Sequence, residues 1–276
     1  MRMVTASLLL AFLATFGLVD PASARTAPQV TAKEVYLIDA TAGTVQFARR
    51  ETRRVPVASL TKIMTAYVVR RSASLEDVVT VSATDVRHAA KNGATHAGLR
   101  AGERLTVRDL LHAVLLPSGA DASNALARRY GPGVKRFVAK MNRAAQSLGL
   151  RDTVYTNPDG LPQTGGDRST AKDQVILAQT VLKDPVIATI VRTERHAVAR
   201  SAVHRAHVWH NTNRLLPTEA MGLKTGYTRP AGYCLMFASV VGGHTMIGVL
   251  LGDSGDAARY RSARRLLDAA AVAIAA

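Results

Sequence analysis

The stretch Val57-Ala58-Ser59-Leu60-Thr61-Lys62-Ile63-Met64-Thr65-Ala66 carries a serine and a lysine three residues apart in an apolar segment. Its apolar residues recur near the helical period, which predicts a buried helix with Ser59 near its start. Residues three apart share one helix face, and the N–H groups of a helix start stabilise negative charge. An apolar setting disfavours the ammonium form of a lysine. The segment therefore predicts a nucleophile, Ser59, beside a base, Lys62, although the same spacing is found on many solvated helix faces.

Strand patterns lie at both ends of the chain and helical patterns between them. Residues 35–38 and 44–47 flank one turn, and residues 233–241 and 245–251 flank another at Gly242-Gly243, so each pair predicts a β-hairpin. Thr106 and Thr170 each precede an Asp by three residues, as helix caps do. We therefore predict an α+β fold: one antiparallel sheet built from both chain ends and flanked by helices, plus a helical lobe at about residues 70–200. The cleft between sheet and lobe is the expected site.

Two further segments carry groups that can bind a substrate or take part in a reaction. Lys224-Thr225-Gly226 precedes a strand-like run, where Lys can hold a carboxylate, Thr can donate a hydroxyl, and Gly leaves room for a chain beside the strand. Ser118 lies in a turn that follows one predicted helix and precedes another. Each motif by itself is weak evidence, but the order of the three motifs along the chain is informative.

The order S-x-x-K, Ser-containing turn, K-T-G resembles that of the penicillin-recognising serine enzymes. In detail the chain resembles the low-molecular-mass D-alanyl-D-alanine carboxypeptidases of peptidase family S11, from about residue 33 to residue 267. The segments that carry the resemblance, besides the one around Ser59, are Asn157-Pro158-Asp159-Gly160-Leu161, Ser169-Thr170-Ala171-Lys172-Asp173, Asn211-Thr212-Asn213-Arg214-Leu215-Leu216 and Gly222-Leu223-Lys224-Thr225-Gly226-Tyr227-Thr228.

The resemblance implies a β-lactamase/transpeptidase-like fold and a role for each motif residue. Ser59 would attack the terminal D-Ala-D-Ala bond, Lys62 would take its proton, and Ser118 would relay a proton to the leaving D-alanine. Lys224 and Thr225 would bind the terminal carboxylate, Gly226 would leave room for the substrate, and the backbone N–H groups of Ser59 and Tyr227 would hold the oxyanion. No cofactor or metal is implied. β-Lactams would acylate Ser59 and inhibit the enzyme.

The middle motif departs from the family, because Ala120 stands where the family has Asn. That Asn contacts the base lysine and the substrate, so we expect reduced rather than abolished activity; Asn124, one turn further on, is a candidate substitute. Three alternatives stay open: an endopeptidase that cuts D-alanyl cross-links, a serine β-lactamase, and a catalytically weak wall-binding protein. The β-lactamase would need a deacylating Glu in an E-x-x-x-N arrangement, and none stands in a convincing context.

Composition excludes several other classes. The 276 residues are 47% hydrophobic and 20% charged, which excludes a disordered chain. One cysteine, Cys234, excludes a disulfide framework and a Cys-rich metal site, and we expect it to be a packed thiol. His204, His207 and His210 lack the H-E-x-x-H pattern and predict ordinary histidines.

The first residues predict export. Arg2, an apolar run over residues 4–19 and Ala22-Ser23-Ala24 form the pattern of a signal peptide, residues 1–24, cut after Ala24. We expect residues 25–276 to form a single catalytic domain without a transmembrane segment, in the periplasm or another extracytoplasmic cell-wall space. The net charge of +16 favours an anionic envelope, and no basic run interleaved with aromatics points to nucleic acid. The expected partners are peptidoglycan stem peptides ending in D-Ala-D-Ala, which implies a role in wall synthesis and cell shape.

Overall fold

A computed structural model describes residues 27–91, 93–162, 166–216 and 220–275. The predicted signal peptide, residues 1–24, lies outside these ranges. The strands are β1 (Glu34–Asp39), β2 (Thr44–Arg49), β3 (Val78–Thr80), β4 (Arg104–Thr106), β5 (Arg195–Val198), β6 (His207–His210), β7 (Leu223–Thr228), β8 (Gly232–Val241) and β9 (His244–Asp253). The helices are α1 (Thr61–Arg70), α2 (Ala83–Lys91), α3 (Val107–Leu115), α4 (Ala120–Tyr130), α5 (Val134–Ser147), α6 (Ala171–Val181), α7 (Pro185–Arg192) and α8 (Asp256–Ala275).

The central sheet joins the two ends of the chain. Its five antiparallel strands run in the order β2-β1-β9-β8-β7, and β1 pairs with β9 from Glu34 opposite Leu251 to Asp39 opposite Met246. Both predicted hairpins are present, as β1–β2 and β8–β9. The predicted fold class is confirmed. Strand β7 is an edge strand, so one side of its backbone is free for a further chain.

Each face of the sheet has its own core. Side chains alternate along a strand, so Val35 and Leu37 of β1 pack with Leu266 and Ala270 of α8, while Ile38 packs into the larger core on the other face. That larger core also contains the apolar side of α1 and most of α3 and α4. The C-terminal part of α8 packs against the sheet through Leu266 and Ala270. The nucleophile segment is thus fixed between the sheet and the helical lobe.

The helices begin at the residues that the capping patterns predicted. Thr106 Oγ1 accepts a hydrogen bond from Asp109 N (3.1 Å), and Thr170 Oγ1 accepts one from Asp173 N (3.0 Å). Within the described ranges no single helix is long and apolar enough to cross a membrane; the pair α6 and α7, bent by 108°, meets the length and composition criteria together.

Two small ribbons in the helical middle were not predicted. β3 pairs with β4, and β5 pairs with β6, over three and four residues respectively. Strands this short show no readable alternation, and their pairing depends on long-range packing. The second ribbon contains His207, which hydrogen-bonds Glu103 at 3.2 Å.

Candidate active site

Ser59 lies in a strained turn that leads into α1. Residues Ala58–Leu60 form a 3-10 helix, and Ala58 adopts a left-handed φ of +50°. Such a conformation costs a non-glycine residue about 1–3 kcal/mol, so it persists only where packing enforces it. Val57, Ala58 and Leu60 are all buried, whereas Ser59 stays partly exposed. Packing therefore fixes the turn and leaves the hydroxyl accessible.

Lys62 contacts Ser59 directly, as the helical spacing predicted. Its Nζ donates to Ser59 Oγ (2.9 Å) and to the carbonyl oxygen of Asp159 (2.8 Å), and the residue is 2% exposed. Burial lowers the pKa of Lys62 to about 8, against the opposing effect of nearby carboxylates, of which Asp159 acts most strongly. A lysine with that pKa can release its proton near neutral pH and act as a base.

The turn around Asp159 lies against the nucleophile. Asn157 Oδ1 accepts from the backbone N–H groups of Asp159 (3.1 Å) and Gly160 (2.6 Å). Gly160 has a φ of +78°, and a Cβ there would lie 1.9 Å from Ala58 O, so no other residue fits. The motif Asn157-Pro158-Asp159-Gly160 is thus needed to bring a carbonyl to Lys62 Nζ.

The sequence analysis missed a partner of Asp159. Its carboxylate accepts from Leu161 N (3.1 Å) within the turn, and it also bonds His88 Nε2 on α2 at 2.6 Å. This hydrogen bond raises the pKa of His88, while Lys62 lowers it. No local pattern could have identified His88, which belongs to an element 71 residues away from Asp159 in sequence.

Ser118 occupies the link between α3 and α4. It is 6% exposed, has a left-handed φ of +68°, and its Oγ has no hydrogen-bond partner among the described residues. A buried hydroxyl without a partner costs free energy, so its retention suits a group that a ligand completes. The following Gly119 is required, because a Cβ there would lie 2.7 Å from Ala113 O.

The replacement at Ala120 is not compensated by Asn124. Ala120 is fully buried at the start of α4. The Asn124 amide donates instead to Asp85 Oδ1 on α2 at 2.9 Å, so the idea that it reaches back to the base is wrong. Asn124 and Arg128 both bind Asp85, which fastens α2 to α4.

Lys224 and Thr225 lie within β7 itself rather than before a strand, which corrects the expectation. Pairing with β8, where Lys224 faces Met236 and Thr225 faces Leu235, extends the strand through the motif. Lys224 is 1% exposed and donates only to Thr225 O (3.1 Å) among the described residues. Burial, with smaller effects of Lys62 and Arg259, lowers the pKa of Lys224 well below its ordinary value.

Gly226 and Tyr227 complete the strand beside the nucleophile. A Cβ on Gly226 would lie 3.2 Å from both Ala58 Cβ and Ser59 N, so the glycine allows β7 to approach Ser59 closely. Tyr227 is 55% exposed and packs against Tyr233, with the ring centroids 4.4 Å apart and the ring planes tilted by 33°. Arg259 of α8, which the sequence analysis did not single out, donates to Gly226 O (3.1 Å) and supports the strand from behind.

The motifs therefore converge on one cleft. Lys62 donates a hydrogen bond to Ser59, and it lies close enough to Lys224 for its charge to lower the pKa of Lys224. Thr225 Oγ1 shares a hydrogen bond with Thr212 Oγ1 (2.6 Å), and Thr212 N donates to Leu116 O (3.2 Å), two residues before Ser118. Ser118 itself makes no hydrogen bond to the other motif residues in the described part of the chain.

The cysteine and the groups that could bind a metal do not add a second reactive site in the described part of the chain. Cys234 is fully buried, and burial raises the pKa of its thiol to about 12, as expected for a packed cysteine. In the part of the chain that the structure describes, no three His, Cys, Asp or Glu side chains are grouped as metal ligands would be.

A sequence model of peptidase family S11, described as D-alanyl-D-alanine carboxypeptidase, matches residues 21–255. The chain belongs to this family. The predicted family and the predicted enzyme class, a serine D-alanyl-D-alanine carboxypeptidase, are confirmed.

Individual S11 members extend the comparison. The D-alanyl-D-alanine carboxypeptidase of Streptomyces sp. (strain K15) is 35% identical over 262 residues, covering 90% of each chain. One from Bacillus subtilis (strain 168) is 34% identical over 244 residues, but the chain spans only 61% of its length. A D-alanyl-D-alanine endopeptidase from Pseudomonas aeruginosa is 30% identical over 232 residues, covering 83% of this chain and 73% of the relative.

Solved S11 structures have the same fold. The crystal structure of the Streptomyces K15 DD-transpeptidase superposes with a TM-score of 0.83 at 34% identity, covering 88% of this chain and 98% of that one. The D-alanyl-D-alanine carboxypeptidase of Mycobacterium tuberculosis H37Rv gives 0.83 at 29% identity, covering 91% and 95%. The sheet with flanking helices is therefore the fold of this group of peptidases.

Proposed function

We propose that the protein is an exported serine carboxypeptidase that removes the terminal D-alanine from peptidoglycan stem peptides. The observation that carries the proposal is the 2.9 Å hydrogen bond from Lys62 Nζ to Ser59 Oγ, made by a buried lysine whose pKa is about 8. This arrangement supplies a hydroxyl with a base that can deprotonate it. Family membership supplies the substrate class.

Each step of the proposed reaction is assigned to one of the motif residues. Ser59 Oγ attacks the carbonyl carbon between the two D-alanines, and its proton passes to Lys62. The negative charge that forms on the carbonyl oxygen is held by the backbone N–H groups of Ser59 and Tyr227. As the C–N bond breaks, the leaving amine receives a proton through Ser118, whose free hydroxyl is available for this role. Water then cleaves the Ser59 ester and restores the enzyme.

Lys224 and Thr225 are proposed to hold the terminal carboxylate. Lys224 is buried, and burial together with the charges of Lys62 and Arg259 disfavours its ammonium form, so an arriving carboxylate would stabilise that form and be held by it. Gly226 leaves space for the substrate to lie beside the free edge of β7. A β-lactam would enter the same site and leave a slowly hydrolysed ester on Ser59.

The decisive experiment combines labelling with product analysis. Purified residues 25–276 are incubated with a muropeptide that ends in D-Ala-D-Ala, and free D-alanine is measured. A fluorescent penicillin should label the protein, and the Ser59→Ala variant should neither be labelled nor release D-alanine. Full labelling of that variant would refute the assignment of the nucleophile. Ser147→Ala, which removes an exposed hydroxyl on α5, is the matched control.

An endopeptidase activity on D-alanyl cross-links is a second candidate, because two relatives named D-alanyl-D-alanine endopeptidase align with 83% and 89% of the length of this chain. Incubation with cross-linked muropeptide dimers distinguishes the two, since an endopeptidase converts the dimers to monomers. Retention of the wall polymer without any product would instead favour the wall-binding alternative.

Export is proposed from the N-terminal pattern together with the wall substrate of the family. Removal of residues 1–24 would leave Arg25 as the first residue of a single catalytic domain. N-terminal sequencing of the protein recovered from the cell envelope tests this. Recovery of Met1 there would contradict the proposed cleavage.

A further inference from the structure

A cavity of about 750 Å³ opens beside the end of β7 and beside the turn that leads to Ser59. It is lined by Pro56, three residues before Ser59, and by Arg229 and Pro230, which follow β7. A smaller space of about 120 Å³, lined by the segment from Pro56 to Ala58, by Gly160 and by Pro230, adjoins it. A substrate that lies along β7 would therefore pass close to the larger cavity where the strand ends.

The larger cavity is basic. Its lining contains four cationic side chains and two acidic ones; the cations are Lys33, Arg50, Arg53 and Arg229, and the acids are Glu34 and Asp253. Several cations that converge on a concave surface create a positive potential that attracts anions.

The two acids of the cavity are buried and have partners in the protein. Asp253 is 3% exposed and accepts from Thr31 Oγ1 (2.6 Å) and Ser262 Oγ (2.8 Å). Glu34 is 2% exposed and forms ion pairs with Arg53 (3.6 Å) and Arg50 (3.8 Å), both longer than a hydrogen bond. Burial raises the pKa of Glu34, which weakens its hold on a neighbouring cation at lower pH.

The cations, in contrast, face the opening. The side chains of Arg50 and Arg53 are 49% and 57% exposed. Arg229 is exposed too, and it forms no hydrogen bond or ion pair within the described ranges. These guanidinium groups have donors left for an anion, and their planar geometry suits a carboxylate.

The direction of β7 relates this cavity to the substrate. The strand runs from Leu223 to Thr228 and is followed by Arg229. A substrate with its carboxylate at Lys224 and its scissile carbonyl at the Tyr227 N–H runs antiparallel to the strand. The residue before the D-alanyl-D-alanine then lies beside Thr228 and Arg229, about 3.3 Å further along. Its side chain points into the space between the two prolines or away from it, depending on its configuration.

We propose that the basic cavity is a second binding site of the enzyme, which takes a carboxylate carried by the side chain of the residue before D-alanyl-D-alanine. The inference rests on the proposed function, from which it takes the direction of the substrate. This second site would make the enzyme prefer acidic stem peptides, a preference that does not follow from the motifs around Ser59.

Two substrates of equal shape test the proposal. N-acetyl-L-Glu-D-Ala-D-Ala and N-acetyl-L-Gln-D-Ala-D-Ala are compared by kcat/KM for D-alanine release. We expect the wild type to prefer the acidic substrate about tenfold at low ionic strength, because a hydrogen bond to a charged group contributes about that factor. The preference should fall at higher salt concentration, because salt screens the charges. The double variant Arg53→Gln, Arg229→Gln should bring the ratio to about one. Arg136→Gln on α5, outside the cavity, should keep the wild-type ratio.

The ratio within one variant is unaffected by a general loss of active protein, so impaired folding does not imitate the expected result. Equal use of the two substrates by the wild type, or an unchanged preference in the double variant, would overturn the inference while leaving the carboxypeptidase intact. If retention on an anionic wall polymer were lost in the double variant while the wild type used both substrates equally, the cavity would bind the wall polymer instead. Failure of the wild type to release D-alanine from either substrate would overturn the proposed function itself.

Discussion

Lys62 on α1 and Lys224 on β7 are both fully buried lysines of one cleft, yet their surroundings differ. Lys62 donates to a hydroxyl and a carbonyl, and three carboxylates, those of Asp159, Asp121 and Asp167, partly offset the effect of burial on its pKa. Lys224 donates to one backbone carbonyl, and the charged groups that shift its pKa, Lys62 and Arg259, are both cations.

The difference suits the two lysines to different functions, proton transfer for one and anion binding for the other. A lysine whose burial is partly offset by carboxylates has a pKa near neutrality and can exchange a proton during turnover. A buried lysine among cations lacks a counter-ion, and a bound anion would supply one. The charge environment therefore supports the proposed roles, proton transfer for Lys62 and anion binding for Lys224, and four experiments test them.

The largest effect is expected for Lys62→Ala. Removal of the base should slow acylation by penicillin by roughly 10²- to 10⁴-fold, the usual contribution of general base catalysis. The rate of labelling by a fluorescent penicillin measures this. Lys172→Ala, which removes an exposed lysine of α6, should label at the wild-type rate. A decrease of less than tenfold in Lys62→Ala would show that another group takes the proton.

The pH dependence of acylation should follow the pKa of Lys62. Because the free amine is the active form and its pKa is about 8, the rate should rise with pH and level off above about pH 8. Well below that value it should fall about tenfold per pH unit, which gives a decrease of roughly fiftyfold from pH 8, where half of the amine is free, to pH 6. Acylation rates measured across this range, with unfolding followed at each pH, provide the test. An inflection near the ordinary lysine pKa of 10.5 would mean that burial does not act on Lys62 as described.

Lys224→Ala should affect substrates with a free carboxylate most. Loss of a hydrogen bond to a charged group corresponds to about 1.5–3 kcal/mol, or roughly 10- to 150-fold in kcat/KM. The same peptide with a C-terminal amide should lose much less, because it brings no charge to Lys224. Comparable losses for both peptides, together with a lower melting temperature, would indicate a structural role for this lysine.

Ala120→Asn should have the smallest effect, and it should change the rate of acylation, the step in which Lys62 is the proposed base. A side-chain amide at the start of α4 would restore a polar group that the family places near the base, so we expect acylation to be roughly three- to tenfold faster. Penicillin acylation and D-alanine release are both measured, with the melting temperature as the control for folding. A wild type without either activity, and a variant with both, would favour the wall-binding alternative.

Local sequence patterns predicted much of the fold and part of the site. Thr106 and Thr170 cap helices because a side chain reaches the N–H three residues on, which depends on neighbouring residues alone. The contact between Ser59 and Lys62 follows in the same way from the helical repeat. The two hairpins follow from alternation on each side of a turn.

The tertiary structure decided which residues from distant segments of the chain contact one another. Pairing with β8 made Lys224 part of a strand, and packing of α2 against α4 turned Asn124 to Asp85 and away from the base. The approach of α2 to the Asn157 turn brought His88 to Asp159 across 71 residues of sequence. The sequence by itself determined which reactive residues are present and which short segments present them. The distances and burial that shift the pKa values of Lys62 and Lys224 arise only when the sheet, the helical lobe and α8 pack together, because desolvation depends on every neighbour in space and not on neighbours in the chain.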